Sequence, residues 1–118
     1  LAYRQQGQWS RVADALSEVL KLRPDHASAL SEQGLAMLAL GDLEEALRCA
    51  EQASLLAPDD PGVLSNLALV RMEDGRFEAA REALLLATDL DPADPITERC
   101  WSRLRQLEGK NPTWSVRL

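Results

Sequence analysis

Histidine is almost absent from this sequence: His26 is the only one in 118 residues. A lone histidine has no second imidazole to share a metal ion with it, and it sits far from any nucleophile it would serve as base. Cysteine is scarce as well. Cys49 and Cys100 are too few for a disulfide framework and fit no metal-ligand spacing, so both read as small packing residues. No apolar run approaches the ~18–20 residues of a membrane span; the longest covers residues 35–40. Basic charge is thin over most of the chain. Residues 1–94 hold 8 Lys and Arg against 17 Asp and Glu, a balance of −9, which excludes the basic footprint that nucleic-acid phosphates demand. Residues 95–118 reverse the sign, with 5 basic and 2 acidic residues.

The acidic runs have a plain reading. Glu44-Glu45, Asp59-Asp60 and the DLDPAD stretch invite comparison with a calcium loop, but such a loop needs alternating oxygen ligands, a central glycine and a closing glutamate. DLDPAD lacks the glycine and falls where the chain turns, so these residues are expected to be solvated caps. No metal and no cofactor is implied, and nothing assembles a catalytic set. The expectation is not an enzyme.

What is present is a period. Gly7, Gly41, Gly75 and Gly109 lie 34 residues apart, and so do Pro24, Pro58 and Pro92. Residues that punctuate the backbone at a fixed interval mark a repeat array. The register divides the chain into a partial leading repeat (1–26), two full repeats (27–60 and 61–94), a C-terminal capping helix (95–108) and a tail (109–118). Leu1 falls inside a repeat, so the sequence is expected to be a piece of a longer chain.

Each repeat reads as two helices. Apolar residues at helical spacing run up to each glycine, which supplies the left-handed backbone of a tight turn. The second helix ends shortly before each proline, which cannot continue a helix interior. Asp60-Pro61 and Asp94-Pro95 read as an N-cap followed by proline at the first helical position, and His26 shares their register. The spacing predicts seven helices, at about 2–6, 10–22, 27–40, 44–56, 61–74, 78–90 and 95–108, with no strand. Ala46, Ala53, Ala80 and Ala87 recur at matched sites on the second helices, and Gly34 matches Ala68 on the first, so close helix contact is expected there. Asn111-Pro112 falls where a further second helix would start, and the array is expected to end with 95–108 as a polar cap anchored by Trp101.

With the period goes a set of positions: Leu30, Gly34, Met37, Ala46, Ala50, Ala53 and Pro58 in one copy, Leu64, Ala68, Arg71, Ala80, Leu84, Ala87 and Pro92 in the next. In these the chain resembles the tetratricopeptide repeat family. Met37 and Arg71 stand where that family prefers tyrosine, and Leu30 and Leu64 where it prefers tryptophan. The resemblance implies an all-α fold, a right-handed superhelical array of antiparallel helix pairs. It also implies a concave groove, lined by the first helix of each repeat, that holds a partner's peptide. By matched register the groove residues are Leu35, Leu38, Asn66, Leu69, Met72, Arg99 and Arg103, with Ser31, Glu32, Ala39, Ser65, Glu73, Ile96, Cys100, Gln106 and Leu107 beside them. The expected partner is a protein or peptide with apolar anchors and an acidic end for the two arginines. One branch of the family clamps the C-terminal carboxylate of chaperone tails; here only Asn66 fits that clamp, since Ser31, Leu35, Ile96 and Cys100 replace the other positions. The alternatives are that the surplus apolar residues pack between helices, and that the array is a structural scaffold that stacks on itself as a homo-oligomer. Abundant alanine, leucine, arginine and aspartate lean toward a GC-rich bacterial source.

Overall fold

The structure, a computed structural model, describes the backbone of residues 3–109 and the side chains of residues 6–109. Residues 110–118 of the expected tail, with Asn111-Pro112, lie outside the described residues. Among those residues the chain forms six α-helices and no strand: α1 (Tyr3–Leu22), α2 (Ala27–Ala39), α3 (Leu43–Leu56), α4 (Pro61–Glu73), α5 (Phe77–Leu90) and α6 (Pro95–Gly109).

The expected break at Gly7 does not occur. In place of the two helices expected at 2–6 and 10–22 there is one continuous helix, α1, over Tyr3–Leu22, so the described residues form six helices where the register predicts seven. Fewer than two turns of helix before Gly7 give a separate segment too little to pack, and nucleating it alone is unfavourable. Gly7 is exposed with nothing around its Cβ position, and it costs only the usual glycine penalty inside a helix.

At the other two turns the expected geometry is present. Gly41 and Gly75 have φ of 87° and 78°. Each closes a Schellman motif: Gly41 N–H donates to Leu38 C=O and Asp42 N–H to Met37 C=O, while Gly75 and Arg76 do the same toward Met72 and Arg71. Gly41→Val and Gly75→Val are each expected to cost roughly 1–2 kcal/mol of left-handed strain. The losses should add in the double variant, because the turns are separate. Urea midpoints of the three variants check this, and unchanged midpoints would contradict it.

The starts are capped as the register requires. The Asp42 carboxylate accepts from Glu45 N–H, Asp60 accepts from Gly62 and Val63 N–H, and His26 Nδ1 accepts from Ala29 N–H at 3.1 Å. Asp94 accepts from Ile96 N–H and from the Thr97 hydroxyl. Arg76 makes no side-chain cap at α5.

Helices α2 and α3 pair, as do α4 and α5, while α2, α4 and α6 touch in succession and form an inner row. Helices α3 and α5 lie outside that row, and α1 packs on α2. Small residues set the approach. A Cβ on Gly34 would lie 3.2 Å from the Ala46 carbonyl oxygen, and Ala46, Ala53, Ala80 and Ala87 are fully buried. Arg71 replaces an aromatic by bonding: its guanidinium donates to the Ala79 carbonyl at 3.1 Å, joining α4 to α5. Helix α6 is held by Trp101, whose indole N–H donates to the Thr88 hydroxyl at 2.9 Å, and by an Arg81–Glu108 ion pair.

Both cysteines are buried and unpaired with each other. Burial, reinforced by the Glu45 carboxylate, pushes the Cys49 thiol up to about 11. Unfolding releases a thiol of ordinary acidity near 9. The stability held by the neutral buried thiol is therefore complete below pH 9 and is lost as pH rises toward 11. The melting temperature is expected to fall more steeply across that window than in Cys49→Ala, and parallel pH profiles for the two proteins would refute it.

Candidate functional site

The inner row presents one open apolar hollow. Its walls are Leu35, Leu38 and Ala39 from α2, Leu69 and Glu73 from α4, and Arg103 from α6, with Trp9 of α1 at the near end. Its volume is about 580 Å³. Leu35, Leu38, Leu69 and Trp9 are each half-buried, so all four keep a face toward the solvent. The sequence places them there through helical geometry. Leu35 and Ala39 are four apart and so share a face, as do Leu69 and Glu73, and the 34-residue register stacks Leu35 beside Leu69.

Charge in the hollow is internally matched. The Arg103 guanidinium donates to the Glu73 carboxylate at 2.8 Å, bridging α4 and α6. Both side chains are partly exposed, so the pair sits in a high-dielectric setting and adds little stability. Its effect is on position: it holds the long arginine side chain across the far end of the floor.

Four of the seven residues expected from sequence meet in this hollow: Leu35, Leu38, Leu69 and Arg103. The other three do not. Met72 is 1% exposed and packs in the core with Ala68, Ala80, Leu84 and Leu104. It follows Leu69 by three residues, which turns it about 60° away from that face toward α5. Asn66 lies one turn nearer the helix start, in a separate polar hollow with Ser28, Ser31, Glu32 and Asp60. Its amide donates to the Ser31 hydroxyl at 2.8 Å, so it serves the α2–α4 contact. A second polar link, Ser65 to Thr97 at 2.8 Å, does the same between α4 and α6. Arg99 is exposed one turn before Arg103, about 6 Å along the axis, and lies outside the hollow.

Trp9 is the lining residue that the sequence reading missed. It stands in the register of Leu43 and Phe77, both of which pack against the core from the start of an outer helix. That register was the available signal. A tryptophan at the same place is large enough to reach past the core onto the groove floor.

Among the described residues no helix is long and apolar enough to cross a membrane. A family model described as tetratricopeptide repeat matches the chain twice, over residues 1–61 and 32–95. No curated protein sequence matches significantly. Among solved structures the chain is similar to the tetratricopeptide domain of Arabidopsis OM64, at 20% identity and a TM-score of 0.74, covering 87% of this chain and 85% of that one. It is similar to the second such domain of human RPAP3, solved with an HSP70 peptide: 17% identity, TM-score 0.72, 87% of this chain and 86% of that one. It is also similar to the type III secretion chaperone SycD of Yersinia enterocolitica, solved with a peptide of the translocator YopD, at 16% identity and a TM-score of 0.69 over 88% and 79% of the two chains. At these identities the structures speak for the fold, and the two family matches reach across both full helix pairs: the chain belongs to the tetratricopeptide repeat family.

Proposed function

We propose that this chain is a protein–protein interaction module that holds an extended peptide segment of a partner in the hollow between α2, α4 and α6. The observation that carries the reading is the meeting of Leu35, Leu38 and Leu69 with Trp9 on one open surface. Half-buried apolar side chains that keep a face to solvent, gathered around one hollow, are what a peptide's anchors pack against. Two fold neighbours were solved with peptides bound, which supports the class of ligand. Apolar anchors dominate recognition. An acidic end on the ligand would exchange with Glu73 for Arg103, one carboxylate for another, and add little. The test is selection from a random peptide library on the immobilised chain, followed by amide shift mapping of the best binder. Shifts at residues 35–39 and 69–73 support the reading, and shifts confined to α3 and α5 refute it.

A second reading, a scaffold that self-associates, rests on α1. Val12 and Val19 are 40% and 37% exposed on a helix that, among the described residues, packs on α2 alone. Sedimentation velocity over a dilution series is expected to show concentration-dependent association that a Val12→Lys, Val19→Lys variant loses. A monomer at all concentrations would remove this reading.

A further inference from the structure

The outer helices α3 and α5 each turn leucines to solvent, on the side of the array away from the hollow. Leu55 and Leu56 are 83% and 45% exposed; Leu85, Leu86 and Leu90 are 53%, 55% and 45% exposed. On α5 the exposed Glu82, Leu85, Leu86, Asp89 and Leu90 share a stripe about 140° wide, opposite the buried Ala80, Ala83, Leu84 and Ala87. The matched stripe on α3 is Arg48, Glu51, Gln52, Leu55 and Leu56, with a shallow hollow of about 540 Å³ along it.

The repeat does not require leucine at three of these places. The site of Leu85 holds Ser17 in α1 and Glu51 in α3, and that of Leu86 holds Glu18 and Gln52. The site of Leu55 holds Lys21 in α1 and Asp89 in α5. Polar side chains at the same sites leave the helices packed in the same way, so Leu55, Leu85 and Leu86 are surplus to the fold. Leu56 and Leu90 differ, since their site is leucine in α1 too, as Leu22. Nor does the end of the array explain the exposure. Glu51 and Gln52 are exposed with α4, α5 and α6 all following, and Leu56 and Leu90 are equally exposed although α6 alone follows the second.

Carboxylates bracket the surplus leucines. Glu51 and Asp59 lie four residues to either side of Leu55, and Glu82 and Asp89 three or four to either side of Leu85 and Leu86. All four are exposed, and among the described residues none is in an ion pair. The arginines of these two helices are already engaged, Arg48 by Glu45 and Gln52, and Arg81 by Glu78 and Glu108.

We infer that the outer face of α3 and α5 is a second docking surface, which takes a basic amphipathic helix of a partner protein. Exposed apolar side chains rimmed by one sign of charge select a ligand with an apolar stripe and the opposite charge beside it. The helix lies along the stripe, its apolar side chains over Leu85, Leu86 and Leu55, and its lysines or arginines against Glu82, Asp89 and Glu51. A second copy of this chain suits the face poorly, because like carboxylates would oppose one another across the contact. An anionic lipid surface meets the same repulsion.

The experiment titrates the isotope-labelled chain with a short amphipathic helix built of leucine and lysine, and follows the amide signals. Shifts are expected at residues 51–56 and 82–90, with an affinity that falls as salt rises. Leu85→Ser with Leu86→Glu installs the residues that α1 carries at those sites. It should leave the circular dichroism unchanged and weaken binding roughly tenfold or more. Glu82→Lys with Asp89→Lys keeps the leucines, and should also weaken binding and flatten its salt dependence. A leucine and glutamate counterpart of the peptide should not bind. Equal binding of a lysine and serine peptide of the same charge would show that charge alone is read, and overturns the inference. Shifts at residues 35–39 and 69–73 in place of the outer ones overturn it as well, by assigning the peptide to the hollow. So does self-association in sedimentation that the Leu85→Ser, Leu86→Glu chain loses, or equal binding to phosphatidylserine vesicles by way of the same residues.

Discussion

Replacing Met72 with glutamate is expected to unfold the array, while Met72→Leu leaves it folded. Met72 is among the largest fully buried side chains and touches the cluster that joins α4, α5 and α6. A carboxylate at that place lies among the apolar side chains of the cluster and must either stay charged in that surround or take up a proton. Burying an unpaired charge belongs to the small class of substitutions that cost more than about 4 kcal/mol, a large part of the total stability of a domain this size. Leucine keeps the volume and the apolar character, and such exchanges usually cost less than about 1.5 kcal/mol. Far-ultraviolet circular dichroism and a urea titration decide the matter. A folded Met72→Glu chain with a midpoint near that of the parent would mean that Met72 reaches solvent after all.

The same residue shows where the reading of the sequence stopped. The 34-residue spacing of glycine and proline located every described turn, and predicted one more at Gly7 where the helix runs on, because those residues act through the local backbone, and local effects are written in local sequence. Facing is another matter. Helix α4 carries Leu67, Ala68, Leu69, Val70 and Met72 almost without a polar side, so no apolar stripe stands out against a polar one. Periodicity could identify the helix and could not say which of Leu69 and Met72 looks inward. That choice is made by Ala80 and Ala83 on α5, whose small side chains bring the neighbouring helix onto the Met72 side. The Arg103–Glu73 and Asn66–Ser31 contacts were illegible for a related reason. They join helices 30 and 35 residues apart, and depend on the axial offset between those helices, which no spacing within one repeat encodes.

Leu69→Glu is the counterpart: the chain should fold, and the selected peptides should no longer bind. Leu69 is half-buried at the centre of the hollow floor, between Leu35 and Leu38 on one side and Arg103 on the other. Glutamate there keeps its carboxylate toward water or toward Arg103, so the folded state loses part of one apolar contact and buries no charge. The bound state suffers more. An anchor from the peptide would meet a carboxylate whose desolvation nothing repays, and central, well-packed contacts are where binding energy concentrates. Losses of about 2–4 kcal/mol are typical there, which corresponds to roughly 30- to 1000-fold in Kd. Arg103→Gln serves as the contrast. It removes a rim cation already engaged by Glu73, and should change the association rate and its salt dependence while leaving most of the affinity. Calorimetry with the three proteins and one selected peptide separates these cases. Equal affinity for Leu69→Glu and the parent would place the peptide elsewhere on the array, and the exposed face of α1 would then become the better candidate for this protein's contact with others.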